Sequence, residues 1–102
     1  MSISVMSLVF SRKLGSATLK AVAVKLADYA NDAGGNIWPS LETVSRVTEV
    51  SLSTVHRAIK ELRERGILEV ERLGGKGPGD TTRYRLNLRA IDALPPLNEE
   101  GC

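Results

Sequence analysis

Apolar residues recur along this chain with two different periods, and the change from one to the other lays out its elements. Leu19, Val22, Ala23, Leu26 and Ala30 fall on one helical face opposite Lys20, Lys25 and Asp28, with Ser16 placed to cap a helix from Ala17 to about Asn31. Asn31, Asp32, Gly34 and Gly35 then form a cluster that stops helices and turns the chain. A second stripe, Leu41, Val44 and Val47, begins behind a candidate cap at Ser40. A third, Leu52, Val55, Ala58, Ile59 and Leu62, begins behind Ser51 and runs to Gly66, which is suited to the left-handed position after a helix. Only Thr48 to Val50 remain to join them, so the stretch from Ser40 to Gly66 is predicted to be a helix-turn-helix.

After Gly66 the period falls to two. Ile67 to Leu73 has strand character, and in Thr81 to Leu88 the residues Tyr84, Leu86 and Leu88 alternate with Arg83, Arg85 and Asn87. The glycine-rich run from Gly74 to Asp80 between them predicts a hairpin loop. Ile3 to Phe10 reads as an extended arm or short strand that turns Val5, Val9 and Phe10 toward the core. Ile37 suits a short strand, and Trp38 is expected to pack on the core, stacking on a nucleotide base being the sharper alternative. A short helical turn is expected from Arg89 to before Pro95 and Pro96, with Leu97 to Cys102 as a disordered tail. The predicted organisation is therefore an N-terminal arm or short strand over 1–13, one domain over 14–89 and a tail over 90–102.

Composition narrows the class. At 102 residues and 42% hydrophobic content the chain can build one core but not two. Its net charge is only +2, yet Ser51 to Arg89 holds nine Lys or Arg against five Asp or Glu, so the basic excess sits on the helix-turn-helix and hairpin. Cys102 is the single cysteine, which rules out an intrachain disulfide and argues against a structural zinc site. Arg12 and Lys13 follow the apolar N-terminal stretch, the reverse of a signal peptide, and no apolar run approaches the roughly 18 residues of a membrane span. A cytoplasmic protein without metal or cofactor is expected.

The second helix of the motif carries the candidate chemistry. Opposite its apolar stripe lie Ser53, Arg57, Lys60, Glu61 and Glu64, with Thr54 and His56 at the margins. Short hydroxyls and a long cation near a helix start suit a major groove, where phosphate oxygens and base-edge acceptors are met. The candidate DNA-binding residues are therefore Ser51, Ser53, Thr54, His56, Arg57 and Lys60 on this helix, with Arg72, Lys76, Arg83 and Arg85 on the hairpin. The plainer alternative is a solvated face in which Arg57 bridges Glu61, with strand charges that only discourage edge pairing.

A string of residues resembles a known family. Leu26 to Asp32, then Gly35, Trp38, Pro39 and Ser40, followed by Ser51, Ser53, Thr54, Val55, Arg57, Ala58, Leu62 and Gly66, looks like the winged-helix module of bacterial and phage helix-turn-helix proteins, including the N-terminal part of phage-type replication initiators. The resemblance covers about Leu14 to Leu88. It implies an α+β fold, a winged helix-turn-helix with a three-helix core and a C-terminal β-hairpin wing, that binds double-stranded DNA. Two positions depart from the family pattern. Glu49 stands where the turn often has Gly, so a residue with a side chain must adopt a left-handed conformation, and Ser45 replaces a small apolar residue.

Three functions remain open at this point: a small bacterial or phage transcription regulator, which would work as a homodimer; an origin-binding module of a replication initiator; and a winged helix used only for protein contacts, which Glu61, Glu64, Glu69 and Glu71 would permit. An enzyme is not expected. His56 is the sole histidine, with no evident partner set, and Gly74 to Gly77 lacks the spacing of a phosphate-binding loop.

Overall fold

The computed structural model describes residues 3–72 and 82–97. In chain order it holds helices α1 (Ile3–Phe10), α2 (Ala17–Tyr29), α3 (Leu41–Thr48) and α4 (Leu52–Glu64), strands β1 (Leu68–Arg72) and β2 (Arg83–Leu86), and a short α5 (Leu88–Asp92). Helices α2, α3 and α4 pack on one another and the antiparallel β1–β2 hairpin follows α4, which gives the α+β winged helix-turn-helix its three-helix core.

Each core helix begins where a serine can satisfy amides that the helix leaves unpaired. Ser16 Oγ accepts from the N–H groups of Thr18 and Leu19, Ser40 Oγ from that of Thr43, and Ser51 Oγ from that of Thr54. From α2, Leu19, Val22, Ala23, Leu26 and Ala27 enter the core. Val44 of α3 and Val55, Ala58, Ile59 and Leu62 of α4 meet them, and Ile67, Leu68, Leu86 and Ile91 close it from below.

Between α2 and α3 the chain makes its own turn. Asn31 Oδ1 accepts from the N–H groups of Ala33 and Gly35, both at 3.0 Å, and Gly34 takes φ +86. Gly34 is required: a Cβ there would stand 2.8 Å from the carbonyl oxygen of Leu86. Ile37 then exchanges both backbone hydrogen bonds with Tyr84, at 3.0 and 2.9 Å, a single bridge on the other side of β2 where a short strand is expected.

Several expectations need correction. Ile3–Phe10 is a helix packed on α2, not an extended arm or strand. Val5 and Val9 are buried as expected, but Phe10 points outward with 54% of its surface exposed. Trp38 also lies at the surface, 44% exposed, because its buried neighbour Ile37 takes the core position and adjacent residues of an extended segment point opposite ways. Its Nε1 donates to Asn36 Oδ1 at 3.0 Å. Val47 and Leu52, both expected on the buried stripes, are instead exposed, Val47 standing about 120° around α3 from Leu41 and Leu52 being the first residue of α4.

Lys20, expected on the solvent face of α2, reaches back instead to the end of α1. Its ammonium donates to the carbonyls of Val9 and Phe10 at 3.0 Å and to that of Arg12, beyond the helix; the Val9 carbonyl also accepts from the Arg12 N–H at 3.3 Å. Burial pulls its pKa below the usual 10.5. The segment after α1 is also tied to the end of the described chain: Lys13 N–H donates to Pro95 O at 2.8 Å, Leu97 N–H to Ser11 O at 2.9 Å, and Arg12 pairs with Asp92 at 2.8 Å. Leu97 is thus held in place, whereas the rest of the expected tail, 98–102, lies outside the described residues.

Candidate nucleic-acid interface

The turn between α3 and α4 is built from the two departures that the sequence displays. Glu49 adopts φ 61, ψ 30, the left-handed conformation that costs an ordinary residue energy. Ser45 holds the turn around it. Its carbonyl accepts from the N–H groups of Glu49 and Val50, and its hydroxyl donates to Val50 O at 2.6 Å. A small apolar residue at 45 could not make the last of these bonds, so the unusual Ser offsets the unusual Glu. The consequence is a fixed angle of entry for Ser51 and α4.

On α4 the polar residues near the start form a connected set. Ser51 Oγ donates to Thr54 Oγ1 at 2.8 Å and lies 3.4 Å from Ser53 Oγ, while Arg57 Nη2 donates to the same Thr54 Oγ1 at 3.3 Å. Ser51, Ser53 and Arg57 are exposed and Thr54 half-buried. Glu61, the expected partner of Arg57 in the plainer alternative, instead pairs with Arg65 at 3.6 Å, and Arg65 also donates to Leu14 O at 3.0 Å. Among the described residues no carboxylate lies within ion-pair distance of Arg57, and of its five guanidinium donors only one bond, to Thr54, is made.

His56 is exposed beside this set. Lys60, a turn further on, lines an open cleft of about 560 Å³ between the second half of α4 and β1, together with Arg63, Glu64 and Glu69. The structure therefore brings Ser51, Ser53, Thr54 and Arg57 together and leaves Lys60 on the edge of a different surface. Two basic residues give no signal along the chain that would single them out. Arg63 faces that cleft, and Arg46 is exposed in the last turn of α3. The spacing of Glu42 and Arg46 suggests an ordinary helical ion pair, but among the described residues none forms there.

The hairpin has a different electrostatic character. Leu68 pairs with Leu86, Glu69 with Arg85 and Val70 with Tyr84, and a bulge between Val70 and Arg72 then leaves Arg72 opposite Arg83. Arg85 Nε lies 3.7 Å from Glu69 and Arg83 Nε 3.6 Å from Glu71. The guanidinium of Arg83 also sits over the Trp38 ring, 5.2 Å from its centre. Glu71 has a second role, since its Oε1 accepts from the Asn36 N–H at 3.0 Å. Arg83 and Arg85 are thus matched by carboxylates on the neighbouring strand, unlike Arg57. Arg72 is exposed, and Lys76 lies outside the described residues.

With this geometry in place, comparisons with known proteins are informative. Residues 16–68, just over half of the chain, match the family described as a helix-turn-helix domain. Protein YmfN of Escherichia coli K12 is 38% identical over 77 residues, an alignment covering 72% of this chain but only 17% of that longer protein. Among solved structures, a possible transcriptional regulator from Methanosarcina mazei Go1 superimposes with a TM-score of 0.51 over 84% of this chain and 68% of its own, at 22% identity, a likeness of fold. By the extent of the sequence match, and with a hairpin wing directly after the second helix of the motif, the chain belongs to the helix-turn-helix domain family.

Proposed function

We propose that this chain binds double-stranded DNA with the N-terminal half of α4 in the major groove, and that it acts as a small transcription regulator of bacterial or phage type. One observation carries the reading: Arg57, exposed one turn into α4, is steadied by Thr54 and the Ser51 cap and is not neutralised by a carboxylate among the described residues. A guanidinium so placed suits the paired acceptors of a guanine edge, while Ser51 and Ser53 suit the adjacent phosphates. The membership in a helix-turn-helix family and the regulator-like fold neighbour support it.

In this reading Arg46 on α3 adds a backbone contact, because the first helix of such a motif crosses the phosphates. The hairpin arginines contribute less, since Glu69 and Glu71 already balance Arg85 and Arg83. No catalytic role and no cofactor belong to the proposal. A second reading, the origin-binding module of a phage-type replication initiator, is compatible with the much longer relative of which this chain spans 17%, whose name gives no role.

Selection of bound sequences from a random DNA pool tests the proposal, followed by titration of the selected site. Arg57→Ala is expected to weaken that site at least tenfold, consistent with about 1–3 kcal/mol for a guanidinium on a base edge. Affinity unchanged from the wild type, with the unfolding midpoint also unchanged, would remove α4 as the reading element.

A further inference from the structure

Ion pairs are unevenly shared among the basic residues that follow the turn. Arg65, Arg83 and Arg85 each lie within ion-pair distance of a carboxylate, whereas Lys60 and Arg63 are exposed on α4 and, among the described residues, carry no ion pair. Both line the open cleft of about 560 Å³ between α4 and β1. On its far wall Glu69 is already engaged, 3.7 Å from Arg85 and accepting from Asn87 Nδ2 at 3.4 Å. Glu64 is then the one free acid on the lining, so the cleft keeps a positive excess. Arg57 lies outside it and leans the other way, onto Thr54.

We infer that this cleft is a second DNA contact, in which Lys60 and Arg63 hold the phosphate backbone on the wing side of α4, an inference that rests on Arg57 reading the groove. Helical geometry separates the two tasks. Arg57, Lys60 and Arg63 follow one another at intervals of three, each about 60° around the axis and about 4.5 Å along it from the last. With Arg57 at a base edge, Arg63 is turned about 120° away and stands about 9 Å further along, so in a groove about 12 Å wide it meets the wall, which is phosphate. Because Glu71 and Glu69 already balance Arg83 and Arg85, α4 and not the hairpin supplies the open cations on this side. Contacts of this kind add affinity without sequence preference.

Titration of the full chain with its selected duplex and with a random-sequence duplex, at salt concentrations from about 50 to 200 mM, reads this directly. Lys60→Gln and Arg63→Gln are each expected to weaken both duplexes by the same factor, at least about threefold, and to lower the salt slope by about 0.9. Unchanged affinity and slope, or a loss confined to the selected duplex, would overturn the inference. If Arg57→Ala keeps its tenfold loss in the same titration, the reading by α4 stands whichever way the cleft is decided. Should a Gln variant lose helical circular dichroism, Glu64→Gln is the substitute: removing the free carboxylate should tighten both duplexes, a gain that unfolding cannot mimic, and no tightening would count against the cleft. Binding of poly-glutamate that Lys60→Gln and Arg63→Gln abolish while duplex binding stays intact would give the cleft to an acidic protein partner and overturn the inference.

Discussion

The left-handed Glu49 offers a quantitative test of how the motif's turn is held. Glu49→Gly removes the steric cost of a side chain at φ 61, about 1–2 kcal/mol, and adds the backbone entropy cost of glycine, about 0.5–1 kcal/mol. The expected net gain is about 0.5–1 kcal/mol, a rise in melting temperature of about 2–6 °C for a chain of this size. Ser45→Ala works the other way. It removes the 2.6 Å bond to the Val50 carbonyl and should cost about 1 kcal/mol. Because that bond clamps the strained turn, the Ser45→Ala cost should shrink by about 0.5 kcal/mol when residue 49 is already glycine. Urea unfolding of the wild type, both single variants and the double variant, followed by helical circular dichroism, supplies all four corners. If Glu49→Gly destabilises, or the two changes simply add, then Ser45 is not offsetting strain at Glu49.

Further outcomes follow from other contacts. Gly34→Ala should cost about 2 kcal/mol or more, since it combines a left-handed φ with a Cβ 2.8 Å from the Leu86 backbone, and a thermal melt would show it. Lys20→Met should cost about 1–3 kcal/mol by taking the ammonium donor from the carbonyls of Phe10 and Arg12. Lys20 also predicts a pH slope. Its folded pKa is below 10.5, so the unfolded chain holds that proton to higher pH, and the cost of its buried charge eases as pH rises from the folded value toward 10.5. Stability curves of wild type and Lys20→Met across that window should differ in slope as well as in offset, the wild type rising with pH where the variant does not. On a selected DNA site, Arg85→Ala should lose less than threefold where Arg57→Ala loses at least tenfold, because Glu69 already neutralises Arg85. Equal losses in a binding titration would put the wing on a par with α4.

What is legible in the sequence is set by local chemistry. Ser16, Ser40 and Ser51 each cap the helix they precede, and the apolar stripes of α2 and α4 are buried almost residue for residue. The left-handed Glu49 is legible too, because so short a turn leaves few conformations. Helix α1 is not. Ile3–Phe10 carries no charge and only Ser4 and Ser7 as polar residues, and Val5 and Val9, four apart, suit burial in either conformation, so packing against α2 decides it. Long-range pairings are equally hidden. A bulge sets the hairpin register, and with it Glu71 comes near Arg83 and Asn36, which no spacing along the chain reveals. For the same reason Arg57 and Arg83 look alike in sequence and differ in the fold.

The stitching of residues 11–13 to residues 95–97 has a topological consequence. Because Ser11 and Lys13 are joined by backbone hydrogen bonds to Leu97 and Pro95, the path through the domain closes on itself like a clasped ring, with the start of α1 only about a helix length, roughly 12 Å, from the clasp. A few residues of flexible linker from Leu97 to Ile3 would span that distance, so the described ring could be cut elsewhere and a permuted chain should keep the same fold. Inserted into a loop of an unrelated host, the unit would draw its two attachment points together instead of prying the host apart, which is the geometry of a cassette.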